Sequence, residues 1–249
     1  MAETVYLCLI AYLGGLIQGM TGFGVMLVAL PLMALMMDIK TAIPLILMLG
    51  LVMNVILVCR LARHVQTRKW LPLLMASLPG VPVGVYILKT VEPQWLELLV
   101  GGVIIATAAA TWQHGSSKVE LKKRWALTAG FSAGFLGASI GAAGPPVIVY
   151  TALQPWPKHQ IKATLVTFFC ISGALILALQ FFSGLVTPEV AHRFIQCLLP
   201  LLAGVFTGVR LFDTINQRLY KRTIYILLFA LGAMMLVKGA GGFGGIPTG

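Results

Sequence analysis

Long apolar segments alternate along this chain with short charged ones. Two apolar segments, residues 5–37 and 125–153, are 33 and 29 residues long, whereas about 20 residues suffice for one membrane crossing. The six shorter segments are 42–58, 70–88, 95–112, 163–182, 194–212 and 223–237. This pattern predicts an all-α membrane protein with about eight membrane segments.

Both long segments are interrupted near their middle by glycines. The first run extends from Gly14 to Gly24, and the second extends from Gly130 to Gly144 and ends in Pro145 and Pro146. Proline inside a helix removes a backbone donor and clashes with the preceding turn. Each long segment is therefore predicted to be either one broken helix or a pair of half-helices that enters and returns on the same side.

The basic residues favour one of these two alternatives. Lysine and arginine cluster at residues 60–69, 118–124, 158–162 and 210–222. If the long segments cross the membrane once, the basic residues split 10 inside against 8 outside. If they cross an even number of times, the split is 14 to 4. Cytoplasmic loops carry the excess of Lys and Arg, so the second arrangement, with re-entrant half-helices, is preferred.

The two halves of the chain share glycine positions. Gly15, Gly19 and Gly22 align with Gly130, Gly134 and Gly137, and Gly80 and Gly84 align with Gly204 and Gly208. Three full crossings per half would start the second half on the opposite side, which predicts an inverted repeat. The repeats are residues 1–113 and 125–249, joined by a basic cytoplasmic linker at 114–124. Transporters built this way bind substrate at the repeat interface.

Glycines spaced by four residues also allow helices to pack closely in lipid. That is the expected role of Gly80, Gly84, Gly204 and Gly208. In the two broken segments we expect a different role, because unwound backbone at membrane depth is tolerated where it lines a cavity. Free N–H groups at helix starts would suit an anion there.

Composition excludes other classes of protein. With 59% hydrophobic and 10% charged residues, the chain lacks the surface of a soluble domain. Its net charge of +11 lies in short loop clusters, which does not indicate nucleic-acid binding. All seven acidic residues lie near segment ends, so no mid-span carboxylate is available to bind a cation. No catalytic set, cofactor motif or metal spacing occurs, so an enzyme is not expected.

Three glycine patterns together carry a family resemblance. They are Gly15-x3-Gly19-Met-Thr-Gly22-Phe-Gly24, the run from Gly130 to Pro146, and Gly204-x3-Gly208-x-Arg210. In these features, and over nearly its whole length, the chain resembles the sulfite exporter TauE/SafE family of membrane permeases. The resemblance implies export of sulfite, an organosulfonate or a related small anion, and a multi-pass protein of the bacterial inner membrane.

The predicted function is a secondary permease that exports a small anion by alternating access. The lipid bilayer and the anion are its expected partners. A homo-oligomer is possible from the sequence. The candidate substrate-binding residues supply backbone N–H groups, hydroxyls and amides; they are Gln18, Thr21, Gly22, Gly24, Asn54, Ser139, Gly141 and Gly144. Helix–helix hydrogen bonding is the alternative role for Gln18 and Asn54. A non-transporting assembly factor and an anion channel are the alternative functions.

Overall fold

The computed structural model describes residues 2–21, 25–113, 123–212 and 229–241, and these ranges contain helices and no strand. The helices are α1 Ala2–Thr21, α2 Val25–Ala34, α3 Ile39–Leu61, α4 Thr67–Ser77, α5 Gly80–Thr90, α6 Pro93–Gln113, α7 Lys123–Ile140, α8 Gly144–Leu153, α9 Lys158–Phe182, α10 Pro188–Phe212 and α11 Phe229–Gly239. Within these ranges, four helices (α1, α3, α9 and α10) are long and apolar enough to cross a bilayer, or five spans if α4 and α5 count as one. The predicted all-α membrane class is confirmed, whereas eight membrane segments stay a prediction.

The predicted span at 70–88 is not one continuous helix. It consists of α4 and α5, which are bent by 46° relative to each other. Pro79 lies at the break; its missing N–H and its ring prevent the helix from continuing through it. The segment at 70–88 therefore stays a predicted span, and the structure adds a bend at Pro79.

The first long segment is broken between α1 and α2, at residues 22–24, which lie outside the described part of the chain. The Val25 N–H donates to the amide oxygen of Gln18 over 3.1 Å. A Cβ built on Gly14 would lie 3.2 Å from the Cβ of Ala29. Residues further along α2 thus contact residues earlier in α1, so α2 runs back along the end of α1.

The second long segment is broken at residues 141–143, between α7 and α8. Gly141 has φ of +70°, a left-handed conformation that glycine adopts without a Cβ penalty. The following N–H, of Ala142, donates to the Leu136 carbonyl over 3.0 Å. Trp125 and Leu153, at the outer ends of α7 and α8, line one cleft, so α8 returns along α7.

One end of the bundle, the mixed-charge end, carries both signs of charge. The Arg193 guanidinium lies 2.6 Å from the Glu3 carboxylate, joining the starts of α1 and α10. Lys238 lies 2.6 Å from Glu97 and also donates to the Ala34 carbonyl, joining α11, α6 and the end of α2. The ends of α5 and α9 are here too, because Lys40 at the start of α3 donates to the Lys89 carbonyl and Lys89 donates to the Ser183 carbonyl.

The opposite end of the bundle is the basic end. The α3 helix starts at the mixed-charge end and leads to His64 at the basic end. The His64 and His159 rings stack with centroids 5.4 Å apart, which brings the end of α3 to the start of α9. Lys69 lies over the Trp156 ring and donates to the amide oxygen of Gln160. Among the residues that the structure covers, no acidic side chain lies at this end.

The first helix of each half packs against the other half. Along α1 and α10, a Cβ added to Gly204 would overlap the Tyr12 carbonyl, and one added to Gly19 would lie 2.6 Å from the Val205 carbonyl. Along α7, the corresponding partners are α4 and α5: a Cβ on Gly80 would lie 2.5 Å from the Phe131 carbonyl. These backbones approach so closely only because glycine has no side chain. The packing role predicted for Gly80, Gly84, Gly204 and Gly208 is confirmed.

The same close contact extends into the glycine runs of the broken segments. Gly15 and Gly19 lie against α10, while Gly130 and Gly134 lie against the carbonyls of Leu73 and Ser77 on α4. The glycines of each run therefore differ in role according to their position. The early glycines allow close helix packing, and only the residues close to the break are available for another role.

Candidate functional site

A cavity of about 100 Å³ lies where the two helix breaks approach each other. Gln18 from the end of α1 and Val25 and Met26 from the start of α2 form one wall, and residues 141–145 form another. Inward-facing residues of α3 and α9, together with Gly137 of α7 and Ile148 of α8, also line it. No lining residue in the described chain carries a charge, so polarity is supplied by amides, a hydroxyl and the backbone.

The cavity brings together half of the candidate residues predicted from the sequence. Gln18, Asn54, Gly141 and Gly144 all line it. Gly22, Gly24 and the side chain of Thr21 lie outside the described residues.

Ser139 lies elsewhere. It is fully buried on α7, its hydroxyl donates to the Phe135 carbonyl over 2.8 Å, and it is not part of the cavity lining. A Cβ added to Gly84 of α5 would lie 2.9 Å from the Ser139 backbone N. In this conformation Ser139 therefore contributes to the contact between α5 and α7.

Gln18 connects the two helices of the first broken segment. The side chain is 5% exposed, and its amide oxygen accepts the Val25 N–H. The first N–H groups of a helix have no intrahelical partner, so this bond satisfies one such donor at the start of α2. Gln18 thus makes a helix–helix hydrogen bond and also faces the cavity.

Asn54 presents an unpaired amide to the same cavity. It lies on α3, is 8% exposed, and its amide oxygen has no hydrogen-bond partner among the described residues. A buried polar atom without a partner costs about 1–3 kcal/mol. The amide also carries two N–H donors. A side chain of this kind is available for a ligand or water in the cavity.

The break before α8 offers few backbone donors. Pro145 and Pro146 have no N–H, and the Ala142 N–H is already donated to Leu136. The N–H groups of Ala143 and Gly144 are therefore the donors that this helix start can offer to an anion. This is fewer than a helix start without prolines would supply.

Several lining residues were not among the sequence candidates, including Met26, Gly50, Ser172 and Gly173. A Cβ on Gly50 would meet nothing within 4 Å, so this glycine leaves open space in the cavity. On Gly173 the nearest atoms would be 3.9 Å away, on Leu47 and Leu51. Ser172 donates its hydroxyl to the Phe168 carbonyl over 2.7 Å. Whether these residues face the cavity depends on how α2, α3 and α9 are rotated, which the sequence did not indicate.

Comparison with known proteins agrees with an apolar membrane protein. A protein of Comamonas testosteroni described as a "Probable inner membrane transporter protein TsaS" is 27% identical over 165 residues, covering 63% of this chain and 68% of that protein. No solved structure matches the chain. Residues 7–235 match the family described as "Sulfite exporter TauE/SafE". The chain therefore belongs to the sulfite exporter TauE/SafE family of membrane transporters, and is not an enzyme.

Proposed function

We propose that this protein is a secondary permease of the inner membrane that exports a small anion, such as sulfite or a small organosulfonate, by alternating access. The observation that carries the proposal is the uncharged cavity between the two helix breaks. Broken helices at a repeat interface hold the substrate in many secondary transporters. The family membership and the TsaS relative support the same function.

The cavity is chemically suited to an anion. Its lining in the described chain has no carboxylate to repel negative charge, and it offers amide groups from Gln18 and Asn54. The start of α8 adds the N–H groups of Ala143 and Gly144 together with the positive end of the helix dipole. A cation would find no ionised partner among these residues.

An inverted repeat accounts for the pairing of helices between the halves. The first helix of each half, α1 or α7, packs on the second of the three crossings of the other half, which is α10 or the α4–α5 pair. If the two halves are interchanged, the glycine contacts between α1 and α10 correspond to those between α7 and the α4–α5 pair. In this arrangement α3, α4–α5 and α6 cross in the first repeat, and α9, α10 and α11 cross in the second.

The charge distribution supports re-entrant first helices. Glu3 and Ala34, which bound the α1–α2 pair, both lie at the mixed-charge end. Trp125 and Leu153 bound the α7–α8 pair and line the same cleft. Each pair would therefore enter the membrane and return to the side from which it entered. The basic end would face the cytoplasm, where Lys and Arg are in excess.

Transport into proteoliposomes tests the function directly. We expect saturable uptake of labelled sulfite by the purified protein, competition by unlabelled sulfite, and no transport of a lipophilic cation. Flux that rises linearly with concentration would indicate a channel. A folded protein that moves no anion would contradict the permease and support an assembly role.

Thiol labelling tests the topology. In a background in which the four native cysteines are replaced, cysteines at positions 118 and 158 should both be cytoplasmic. A membrane-impermeant thiol reagent should therefore label neither of them in intact cells and both after permeabilisation. A cysteine at position 92, at the mixed-charge end, is the control and should be labelled in intact cells. Labelling of position 118 but not 158 from outside, or the reverse, would contradict the re-entrant arrangement.

A further inference from the structure

One apolar side chain reaches across the cavity from the first half of the chain to the second. Met26, the second residue of α2, extends its thioether onto Gly141 at the break before α8. A Cβ built on Gly141 would overlap the terminal methyl of Met26 and lie 2.8 Å from its sulfur. The Met26 side chain can therefore occupy this position only because Gly141 has no side chain. Both residues line the cavity.

The remaining space is small for an organic anion. The cavity has a volume of about 100 Å³. In a well-studied protein core, a cavity of about 150 Å³ takes up benzene, and one water occupies about 30 Å³ of liquid volume. The space beside Met26 thus suits an anion of a few heavy atoms and is too small for an aromatic ring.

We infer that Met26 sets the upper size limit of the transported anion. Its γ-carbon, sulfur and methyl occupy space that a larger sulfonate substituent would need. Because Met26 and Gly141 come from different halves, the limit is set where the halves meet. This inference rests on the proposed anion permease function.

The test uses competition against labelled sulfite in proteoliposomes, with methanesulfonate, ethanesulfonate and benzenesulfonate as competitors. For the parent, we expect benzenesulfonate to compete roughly tenfold or more weakly than methanesulfonate, since pockets discriminate at least this much by size. In Met26→Ala the ratio of the two inhibition constants should approach one. Met26→Leu, which restores much of the volume, should keep the parent ratio.

Met75→Ala is the matched control, because Met75 is 57% exposed on α4 and does not line the cavity. It should leave both inhibition constants unchanged. A parent that accepts benzenesulfonate as well as methanesulfonate would overturn the size limit, as would a folded Met26→Ala that keeps the parent ratio. A parent that transports none of the anions would instead overturn the proposed function, and this inference with it.

Discussion

Gly50→Leu is expected to reduce anion transport strongly while the protein stays folded. Gly50 lies on α3 and lines the cavity, and a Cβ there would meet nothing within 4 Å. A leucine side chain would grow into a space of about 100 Å³ and fill much of it. Replacing a glycine inside a helix also favours the helix by up to about 1 kcal/mol. The substitution therefore blocks the site without a packing cost.

Gly102→Leu is the matched control for this prediction. Gly102 lies inside α6, is exposed, and a Cβ added to it would also meet nothing within 4 Å. The chemical change is the same, but Gly102 does not line the cavity. Transport per folded molecule should fall by roughly a hundredfold in Gly50→Leu, as for loss of about 2.7 kcal/mol of binding, and stay at the parent value in Gly102→Leu. Equal transport by the two folded variants would remove the cavity from the substrate path.

Gly141 is less suitable for separating binding from folding, although the sequence drew attention to it. Its φ of +70° disfavours any side chain, at a cost of roughly 1–2 kcal/mol. A side chain there would also displace Met26. Loss of transport in a Gly141 variant would therefore combine strain, a rearranged neighbour and a blocked site. Gly50→Leu avoids the strain and the rearranged neighbour, so a loss of transport there would report the blocked site alone.

The sequence predicted those parts of the site that have a local chemical signature. Two adjacent prolines after a glycine run can break a helix wherever they occur, so the α7–α8 break was predictable. Gln18 and Asn54 were predictable because a polar amide in an apolar segment must either face a cavity or bond to another helix. Both line the cavity, and Gln18 also bonds to α2.

The remaining parts depend on tertiary contacts that no local pattern encodes. Gly50 leaves open space in the cavity, yet in the sequence it is simply a glycine within an apolar helix. Ser139 and Ser172 are both serines in apolar segments, and only the rotation of their helices puts Ser172 at the cavity. In the sequence, Met26 is one residue of an apolar run, and nothing there indicates that it lies against Gly141.

Gly204→Leu is expected to have the largest effect on folding. A Cβ on Gly204 would overlap the Tyr12 carbonyl oxygen and lie 3.0 Å from the Leu16 N, so the obstacle is backbone rather than a movable side chain. The α1 and α10 helices would have to separate along this contact. We expect a loss of stability at or above the ~3 kcal/mol upper range of ordinary overpacking. Little folded protein should then be extractable in detergent.

The same experiment tests the relation between the halves. Gly80 is the repeat partner of Gly204, and its added Cβ would lie 2.5 Å from the Phe131 carbonyl on α7. Gly80→Leu should therefore lower the thermal stability by an amount similar to Gly204→Leu, whereas Gly102→Leu should not change it. Thermal unfolding in detergent, monitored by the fraction of monodisperse protein, measures all three. A stable Gly204→Leu would show that α1 and α10 are not held at backbone contact. A large effect at Gly204 with none at Gly80 would contradict equivalent packing in the two repeats, because equivalent backbone contacts must respond alike to the same added side chain.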